Sequence, residues 1–359
     1  MTNSNSLERP LKLLMIGPLP PPIGGTRVLF KNLLDTVCQR ADVHVTVVEN
    51  RPVRSQKIQY VFIALPQIVR LVFQATKADV VTLHVGMKSI HVRGAFVSFI
   101  ARMIGKPLII HTFGSVLYRQ EYGELRSRII RRCLQNAFLY LAETKALVAH
   151  AKEDTVGSVE WFPNARPLPQ INCDVKVQAG CCRRFVFVSH IKRTKGIREL
   201  ITAAERFGED VIVDVYGPFR DDITASDFET CLRVNYRGEL SPDDVLPTLC
   251  RYDALLLPSY HPTEGYPGII IEAYMVGMPV ICTRWRQLPE IVDDTSGLLV
   301  EPRDADDLYK AMKRLNEDEE LFERLQDGAL AKRKDLDIAV WGDRFIDFCR
   351  EAFISQGQK

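Results

Sequence analysis

Short apolar runs alternate with helix-length amphipathic segments along almost the whole chain, and this rhythm limits the possible folds more than any single residue does. Leu11 to Ile16 is an apolar run, followed by Gly-Pro-Leu-Pro-Pro-Pro-Ile-Gly-Gly and an amphipathic stretch from Thr26 to Cys38. That order reads as strand, glycine loop, helix. Further strand-like runs stand at Val43 to Val48, Val80 to His84, Leu108 to His111 and Phe138 to Ala142. Helix-length segments such as Ile58 to Ala75 and Gly94 to Ile104 separate them. The alternation resumes at Phe185 to Ser189, Val211 to Tyr216, Ala254 to Pro258, Pro279 to Cys282 and Leu298 to Val300. Strands that alternate with helices build parallel sheets covered on both faces, so the expected class is α/β.

The rhythm breaks once, between Pro163 and Cys182, in a polar stretch with three prolines after Phe162. A chain of 359 residues, 46% of them hydrophobic, can fill two domain cores. The expected layout is a Rossmann-like domain over 1–165, a linker over 166–182 and a second Rossmann-like domain over 183–335. A C-terminal helix over 336–359 is expected to pack back towards the N-terminal domain. Two such domains would face each other across a central cleft, with the chemistry in loops beyond the carboxyl ends of the strands.

Charge separates the halves. The whole chain carries a formal +2, but residues 1–170 hold 22 Lys/Arg against 11 Asp/Glu, a net +11, and residues 171–359 hold 25 against 34, a net −9. A basic half beside an acidic one suggests an anionic partner for the first. The opening residues are polar, and no run reaches the roughly 18 uncharged apolar residues that span a bilayer, so the expected location is cytoplasmic. Nine cysteines without a C-x-x-C pair point to free thiols rather than to a disulfide or zinc framework.

The segment His261-Pro-Thr-Glu-Gly-Tyr-Pro-Gly-Ile-Ile-Ile-Glu-Ala-Tyr-Met-Val-Gly-Met-Pro-Val runs from a loop into a helix and then a strand. Glu264 falls in the glycine-rich loop and Glu272 about one turn into the helix. Backbone N–H groups at that helix start can receive a diphosphate, while the carboxylates accept hydrogen bonds from sugar hydroxyls. Taken alone, the pair fits a capping glutamate and a solvated helix glutamate equally well.

The segment resembles the E-x7-E signature of family 4 retaining glycosyltransferases, also called glycosyl transferases group 1. The likeness continues through Leu288-Pro-Glu-Ile-Val and Ser296-Gly-Leu-Leu-Val-Glu-Pro downstream, and Asp253-Ala-Leu-Leu-Leu-Pro-Ser upstream. Lys195-Gly, Tyr216-Gly-Pro and Arg237-Gly-Glu-Leu follow in the family's order, and the first half adds Gly17 with Gly24-Gly25, His111-Thr-Phe-Gly and Pro163-Asn164. The resemblance implies a GT-B fold, with an acceptor-side first domain and a second domain that binds a nucleotide diphosphate sugar. It implies that Glu272 binds the donor ribose, Glu264 the transferred hexose and Lys195 the phosphates. Backbone from Gly265 through Tyr266 and Pro267 to Gly268 would lie beside the sugar and diphosphate, with Gly217 and Gly238 in donor-binding loops. Gly24 and Gly25 would close over the donor, and His111, at the end of its strand, would lie near the reacting sugar. His111, Glu264 and Lys195 are thus the candidate catalytic residues.

Two departures stand out. Where the family commonly has an arginine five positions before the phosphate lysine, this chain has His190, so Arg193 or Lys192 would have to reach the phosphate instead. Arg286-Gln287 replaces a paired glycine before the Pro-Glu motif. The Asp-x-Asp at Asp335-Leu-Asp337 lies in a helical C-terminal region and reads as structural, so neither metal nor cofactor is expected. Cationic groups and helix-end amides would stabilise the departing diphosphate. Retention of configuration is implied by the resemblance alone, by front-face attack with no enzymic nucleophile.

An epimerase or a phosphorylase on the same fold, or a non-catalytic homologue acting as a scaffold, are the alternatives. A Rossmann dehydrogenase is disfavoured because Gly17 to Gly25 does not spell G-x-G-x-x-G. The expected acceptor is a carbohydrate or a lipid-linked one, as in bacterial surface polysaccharide synthesis, and no nucleic acid is expected. Arg126-Ser-Arg-Ile-Ile-Arg-Arg, and Arg93, Arg102 and Lys106 among Phe96, Phe99 and Ile100, suggest helices that lie on an anionic membrane surface, which would make the protein peripheral on the inner face. The same helices could equally pack their apolar faces on the sheet.

Overall fold

The computed structural model describes residues 9–21, 24–49, 57–114, 116–117, 121–154, 156–169, 182–220 and 223–357, except for the side chains of 57–65 and 67. The expected linker, 166–182, falls largely outside these residues, as do Pro22 and Ile23 of the glycine loop. The chain divides into two compact units, Met1–Pro163 with Ile338–Lys359, and Asn164–Asp337.

The first unit contains β1 (Leu11–Gly17), β2 (Val43–Glu49), β3 (Val80–Gly86), β4 (Leu108–Phe113), β5 (Leu139–Ala142) and β6 (Val159–Trp161). They form one six-stranded parallel sheet in the order β2-β1-β3-β4-β5-β6. Its helices are α1 (Gly25–Cys38), α2 (Lys57–Lys77), α3 (Ile90–Met103), α4 (Glu124–Gln135), α5 (Lys145–Glu153) and, in chain order, α11 (Ile338–Gly357). Because β2, β3, β4 and β5 follow by crossovers of one hand, the helices between them fall on one face of the sheet. Leu71 of α2, Val97 and Ile100 of α3, Ile130 of α4 and Leu147 of α5 join one buried cluster with Leu14, Leu83 and Ile110 of the strands. On α11, Phe345 lies 5.6 Å from the ring of His84 and Trp341 lies 5.3 Å from Phe162. A Cβ on Gly342 would come within 2.6 Å of Thr36 Cγ2, so that glycine lets α11 approach α1 closely.

The second unit contains β7 (Arg184–Val188), β8 (Ile212–Tyr216), β9 (Val234–Tyr236), β10 (Ala254–Leu257), β11 (Val280–Thr283) and β12 (Gly297–Val300). They form a second six-stranded parallel sheet in the order β12-β11-β10-β7-β8-β9. Its helices are α6 (Ile197–Ala204), α7 (Pro242–Leu249), α8 (Gly268–Met275), α9 (Ala305–Glu317) and α10 (Glu319–Asp335). The Asp304 and Asp318 side chains accept main-chain N–H bonds at the starts of α9 and α10. Strand order reverses between β7 and β10, which pair directly. In an open parallel sheet the loops that leave such a switch point diverge and open a crevice.

Two strands, β6 and β9, are not among the runs read from the sequence. Each has three residues, Val-Glu-Trp and Val-Asn-Tyr, and sits at a sheet edge where one half-polar rim is tolerated. The expectation of free thiols throughout is corrected: Cys38, Cys133, Cys182, Cys231, Cys282 and Cys349 are free, but Cys250 is disulfide-bonded. Among the described residues, no helix is long and apolar enough to cross a membrane.

Candidate functional site

The loops leaving β7 and β10 carry the side chains that matter most. After β7 the chain passes through Ser189-His190-Ile191-Lys192 into a short turn, Arg193–Lys195. Gly196 then adopts φ +76°, and a Cβ there would meet the Pro258 carbonyl oxygen at 2.1 Å, so only glycine lets this loop pass the one after β10. The Tyr260 N–H donates to the Thr194 carbonyl at 2.9 Å and locks the two loops together.

That closeness brings Lys195 to Glu264. The ammonium Nζ donates to Glu264 Oε2 at 2.5 Å, and Ser259 Oγ donates to the same oxygen. Glu264 is only 7% exposed and Ser259 is fully buried. A carboxylate withdrawn from water in this way requires partners of this kind. The Thr283 hydroxyl holds the Ser259 carbonyl, and Trp285 Nε1 donates to the His261 carbonyl at 2.8 Å, so β11 and the loop after it buttress the glutamate loop.

Glu272 lies one turn into α8, whose start at Pro267 has no side-chain cap. Its Oε1 accepts from Arg166 Nε at 2.8 Å. Arg166 is 5% exposed, and its Nη1 also donates to Asn164 Oδ1 and, at 3.2 Å, to the Ala165 carbonyl. Asn164 Nδ2 in turn donates to the Tyr266 carbonyl at 2.9 Å, tying this bracket to the glycine-rich loop. A Cβ on Gly268 would stand 1.9 Å from Arg166 Nη2. The first glycine of α8 therefore makes room for the guanidinium. Sequence reasoning missed Arg166; an arginine between two prolines just past Pro163-Asn164 carries no local sign of burial.

The loops after β7, β8 and β9 are knitted by main-chain bonds. Gly217 at φ +136° packs against the Ser189 carbonyl, where a Cβ would approach within 1.9 Å, and its N–H donates to the Gly238 carbonyl at 2.8 Å. Gly238 itself has φ +90°. This brings Arg220 near His190, with the Arg220 N–H on the Ile191 carbonyl at 2.9 Å. Desolvation, then the charges of Arg220, Lys192 and Lys195, pull the His190 imidazole below its usual range, while Glu239 opposes them. His190 and Arg193 both remain exposed. Arg220 is the cation that the reading of His190 as a lost arginine did not consider.

The remaining candidates belong to the first unit. Gly24 precedes α1 in extended conformation and its carbonyl accepts from the Arg27 and Val28 N–H groups; Gly25 begins the helix. Neither has an atom within 4 Å of a would-be Cβ. Gly17 differs, because the Phe30 ring occupies that space at 2.5 Å, so it serves packing. His111 does not end a strand as expected: β4 continues to Phe113, and the ring is buried among Phe113, Phe162 and His84. The cause is the parallel register, which sets His84 of β3 beside His111 of β4. Their Nδ1 atoms are 3.2 Å apart, His84 Nε2 lies 3.1 Å from Thr82 Oγ1, and His111 Nε2 has no partner among the described residues. Burial pushes His111 down to about 3, and burial with the neighbouring His111 charge pushes His84 well below its usual range.

Residues 182–318 match the family model described as glycosyl transferases group 1. The putative teichuronic acid biosynthesis glycosyltransferase TuaC of Bacillus subtilis (strain 168) is 24% identical over 249 residues, which cover 66% of this chain and 61% of that protein. O-antigen chain mannosyltransferase B of Escherichia coli is 30% identical over 131 residues, 34% of this chain and 33% of that protein. The chain thus matches less than two thirds of the length of either relative. Among solved structures, Anabaena Alr3699/HepE in complex with UDP superposes with a TM-score of 0.72 at 15% identity, over 95% of this chain and 100% of that one. Sucrose-phosphate synthase from Thermosynechococcus elongatus gives 0.71 at 16% identity, over 96% and 100%. The two parallel sheets with flanking helices are the GT-B fold. Over these parts of its length the chain is similar to glycosyl transferases group 1.

Proposed function

We propose that this chain transfers a hexose-type sugar from a nucleotide diphosphate sugar to an acceptor, with retention of configuration and without a metal ion. The observation that carries this reading is the convergence of Lys195 and Glu264 at the switch point of the second sheet, with Glu272 held by Arg166 on the adjoining helix. UDP bound to the structural relative from Anabaena adds support for a nucleotide donor.

In this reading the diphosphate sits against the uncapped start of α8 and the cations of the β7 and β8 loops. Helix-end N–H groups and Lys195 favour the dianionic charge, and Lys192, Arg193 and Arg220 add a positive field at the side where His190 stays neutral. Glu272 accepts a ribose hydroxyl through the carboxylate oxygen that Arg166 does not hold. Glu264 accepts from hydroxyls of the hexose. As the bond from the anomeric carbon to the phosphate oxygen breaks, negative charge gathers on the phosphate, and the Lys195 ammonium offsets it where it develops. The acceptor hydroxyl attacks the same face and its proton passes to the departing phosphate.

The acceptor is lipid-linked, as expected for bacterial surface polysaccharide synthesis; the teichuronic acid and O-antigen relatives favour that class. The test is nucleotide release from a panel of nucleotide diphosphate sugars, with and without lipid-linked oligosaccharide, alongside thermal shift with each free nucleotide diphosphate. Acceptor-dependent release with one donor supports transfer. Product with an inverted sugar centre and no acceptor would identify an epimerase instead, and binding without turnover a scaffold.

A further inference from the structure

Helix α3 is apolar on two sides. Its inward side, Ile90, Val97, Ile100 and Ala101, lies in the core of the first unit. Its outward side presents Val92, Phe96, Phe99 and Met103, which are 63%, 38%, 64% and 70% exposed. Their spacing of four, three and four positions places them in one stripe along the helix, about 16 Å long at 1.5 Å per residue. Helix α2, in the same layer, adds Val69 and Phe73, 60% and 54% exposed. Isolated apolar residues on a surface need no explanation, but a continuous stripe flanked by charge marks an interaction face.

The flanking charge has one sign. Neither α2 nor α3 contains an aspartate or a glutamate, whereas Arg70, Lys77, Arg93 and Arg102 lie on these helices, with Lys88 and Lys106 just outside α3. Lys77 Nζ stands 3.9 Å from the Phe73 ring centre, a cation beside an exposed aromatic ring. By contrast, the arginine-rich α4 exposes one large apolar residue, Leu125, and no stripe. Ile130 is buried in the core, Ile129 packs against it, and Arg128 is paired with Glu124. The proposal therefore rests on α3 with α2 rather than on α4.

We propose that the outward face of α3, with the neighbouring turns of α2, docks the first unit onto an anionic lipid bilayer. Phe99, Met103 and Val92 enter the boundary between headgroups and acyl chains, with the helix axis in the membrane plane, and the lysines and arginines meet the anionic headgroups. A protein partner with an acidic rim is the competing occupant. The bilayer is favoured because the stripe is linear, Phe99 and Met103 are its most exposed members, and long cationic side chains that snorkel readily lie beside it with no carboxylate on either helix. Each cation near an anionic surface raises partitioning roughly fivefold. Delivery of a lipid-linked acceptor to this surface rests on the functional reading above; the docking itself does not.

The test is co-sedimentation of the full chain with vesicles of phosphatidylglycerol and phosphatidylcholine, against phosphatidylcholine alone, at low and high salt. Binding is expected to the anionic vesicles only, to weaken with salt, and to fall at least tenfold in Phe99→Ser/Met103→Ser. A second variant, Phe99→Trp, reads insertion directly: its emission shifts to shorter wavelength on anionic vesicles and is quenched by bromine-labelled acyl chains. Both variants keep the wild-type thermal midpoint, because both positions are exposed, and both keep nucleotide diphosphate binding, which belongs to the second unit. Equal binding to both kinds of vesicle, or wild-type binding by the double serine variant, overturns the proposal. So does a dimer in solution that the double variant dissociates. If vesicles bind as expected and no nucleotide sugar does, the docking stands and the donor reading falls.

Discussion

Arg166 donates from Nε to Oε1 of Glu272 at 2.8 Å, across 106 positions of sequence, in a site where the arginine is 5% exposed. The planar guanidinium spans Glu272 through Nε and Asn164 through Nη1, a geometry that an ammonium cannot reproduce. Glu272 is therefore oriented before any ligand arrives, and its orientation depends on a residue that no glutamate motif contains.

Arg166→Ala is expected to weaken nucleotide diphosphate binding roughly 10- to 100-fold, the worth of a charge-assisted hydrogen bond. It also strands buried groups and lowers stability by about 3–5 kcal/mol. Arg166→Lys, which restores charge without the fork, should recover more stability than affinity. Gly268→Ala reaches the same bracket from the helix side, since its Cβ would stand 1.9 Å from Arg166 Nη2. Calorimetric titration with nucleotide diphosphate decides; unchanged affinity in both Arg166→Ala and Gly268→Ala would show that the bracket does not serve the donor.

Glu264 and Lys195 should separate from Glu272 in kinetics. Glu264→Ala and Lys195→Ala are each expected to reduce kcat/KM on the order of 100-fold or more, because they act at the sugar and on the leaving charge. Glu272→Ala should weaken donor affinity more than Glu264→Ala does. Initial rates over a range of donor concentrations give the split, and near-normal turnover in both glutamate variants would remove them from the site.

Transfer is expected to continue in EDTA at its full rate, since the proposed stabilisation of the leaving diphosphate comes from Lys195 and the surrounding cations. The measurement is product formation after chelation and after re-addition of manganese or magnesium. Activity lost in chelator and restored by either ion would overturn the metal-free mechanism.

Acid should loosen the first unit before neutral pH changes do. His84 and His111 are held below the usual histidine range, His111 at about 3, so the folded chain keeps both neutral while the unfolded chain protonates them near 6.5. The unfolded state then binds more protons, and stability, full above pH 6.5, falls as pH drops from there, for His111 until about 3, by up to about 1.4 kcal/mol per pH unit for each histidine that stays neutral in the fold. Urea midpoints at pH 7.5, 6 and 5 measure this. His111→Gln should flatten the slope, and an identical slope in wild type and variant would assign acid sensitivity to other groups.

Much of the fold is legible from local pattern. The apolar runs at Leu11, Val80, Leu108, Phe185 and Ala254 all lie in strands, because a strand buried on both faces must be apolar at nearly every position; the run at Val43 lies in the edge strand β2, which is only partly buried. Loop glycines are equally local in origin: Gly196, Gly217 and Gly238 sit at positive φ, which other residues rarely adopt. The spacing of Glu264 and Glu272 across a loop and a helix start also follows from sequence alone.

Tertiary structure decided what depends on neighbours distant in sequence. The edge strands β6 and β9 exist through pairing, since three residues carry no period of their own. Parallel register put His84 beside His111 and moved that histidine from a strand end into the core. The strand reversal between β7 and β10 drew Lys195 onto Glu264, and chain reversal brought Arg166 to Glu272. For α3, composition by itself leaves an apolar helix free to bury either side. Packing on the sheet consumed Val97 and Ile100, and left Val92, Phe99 and Met103 facing out. Local sequence sets each segment's conformation through steric and hydrophobic period, whereas partner choice is settled only by which surfaces the assembled sheets bury.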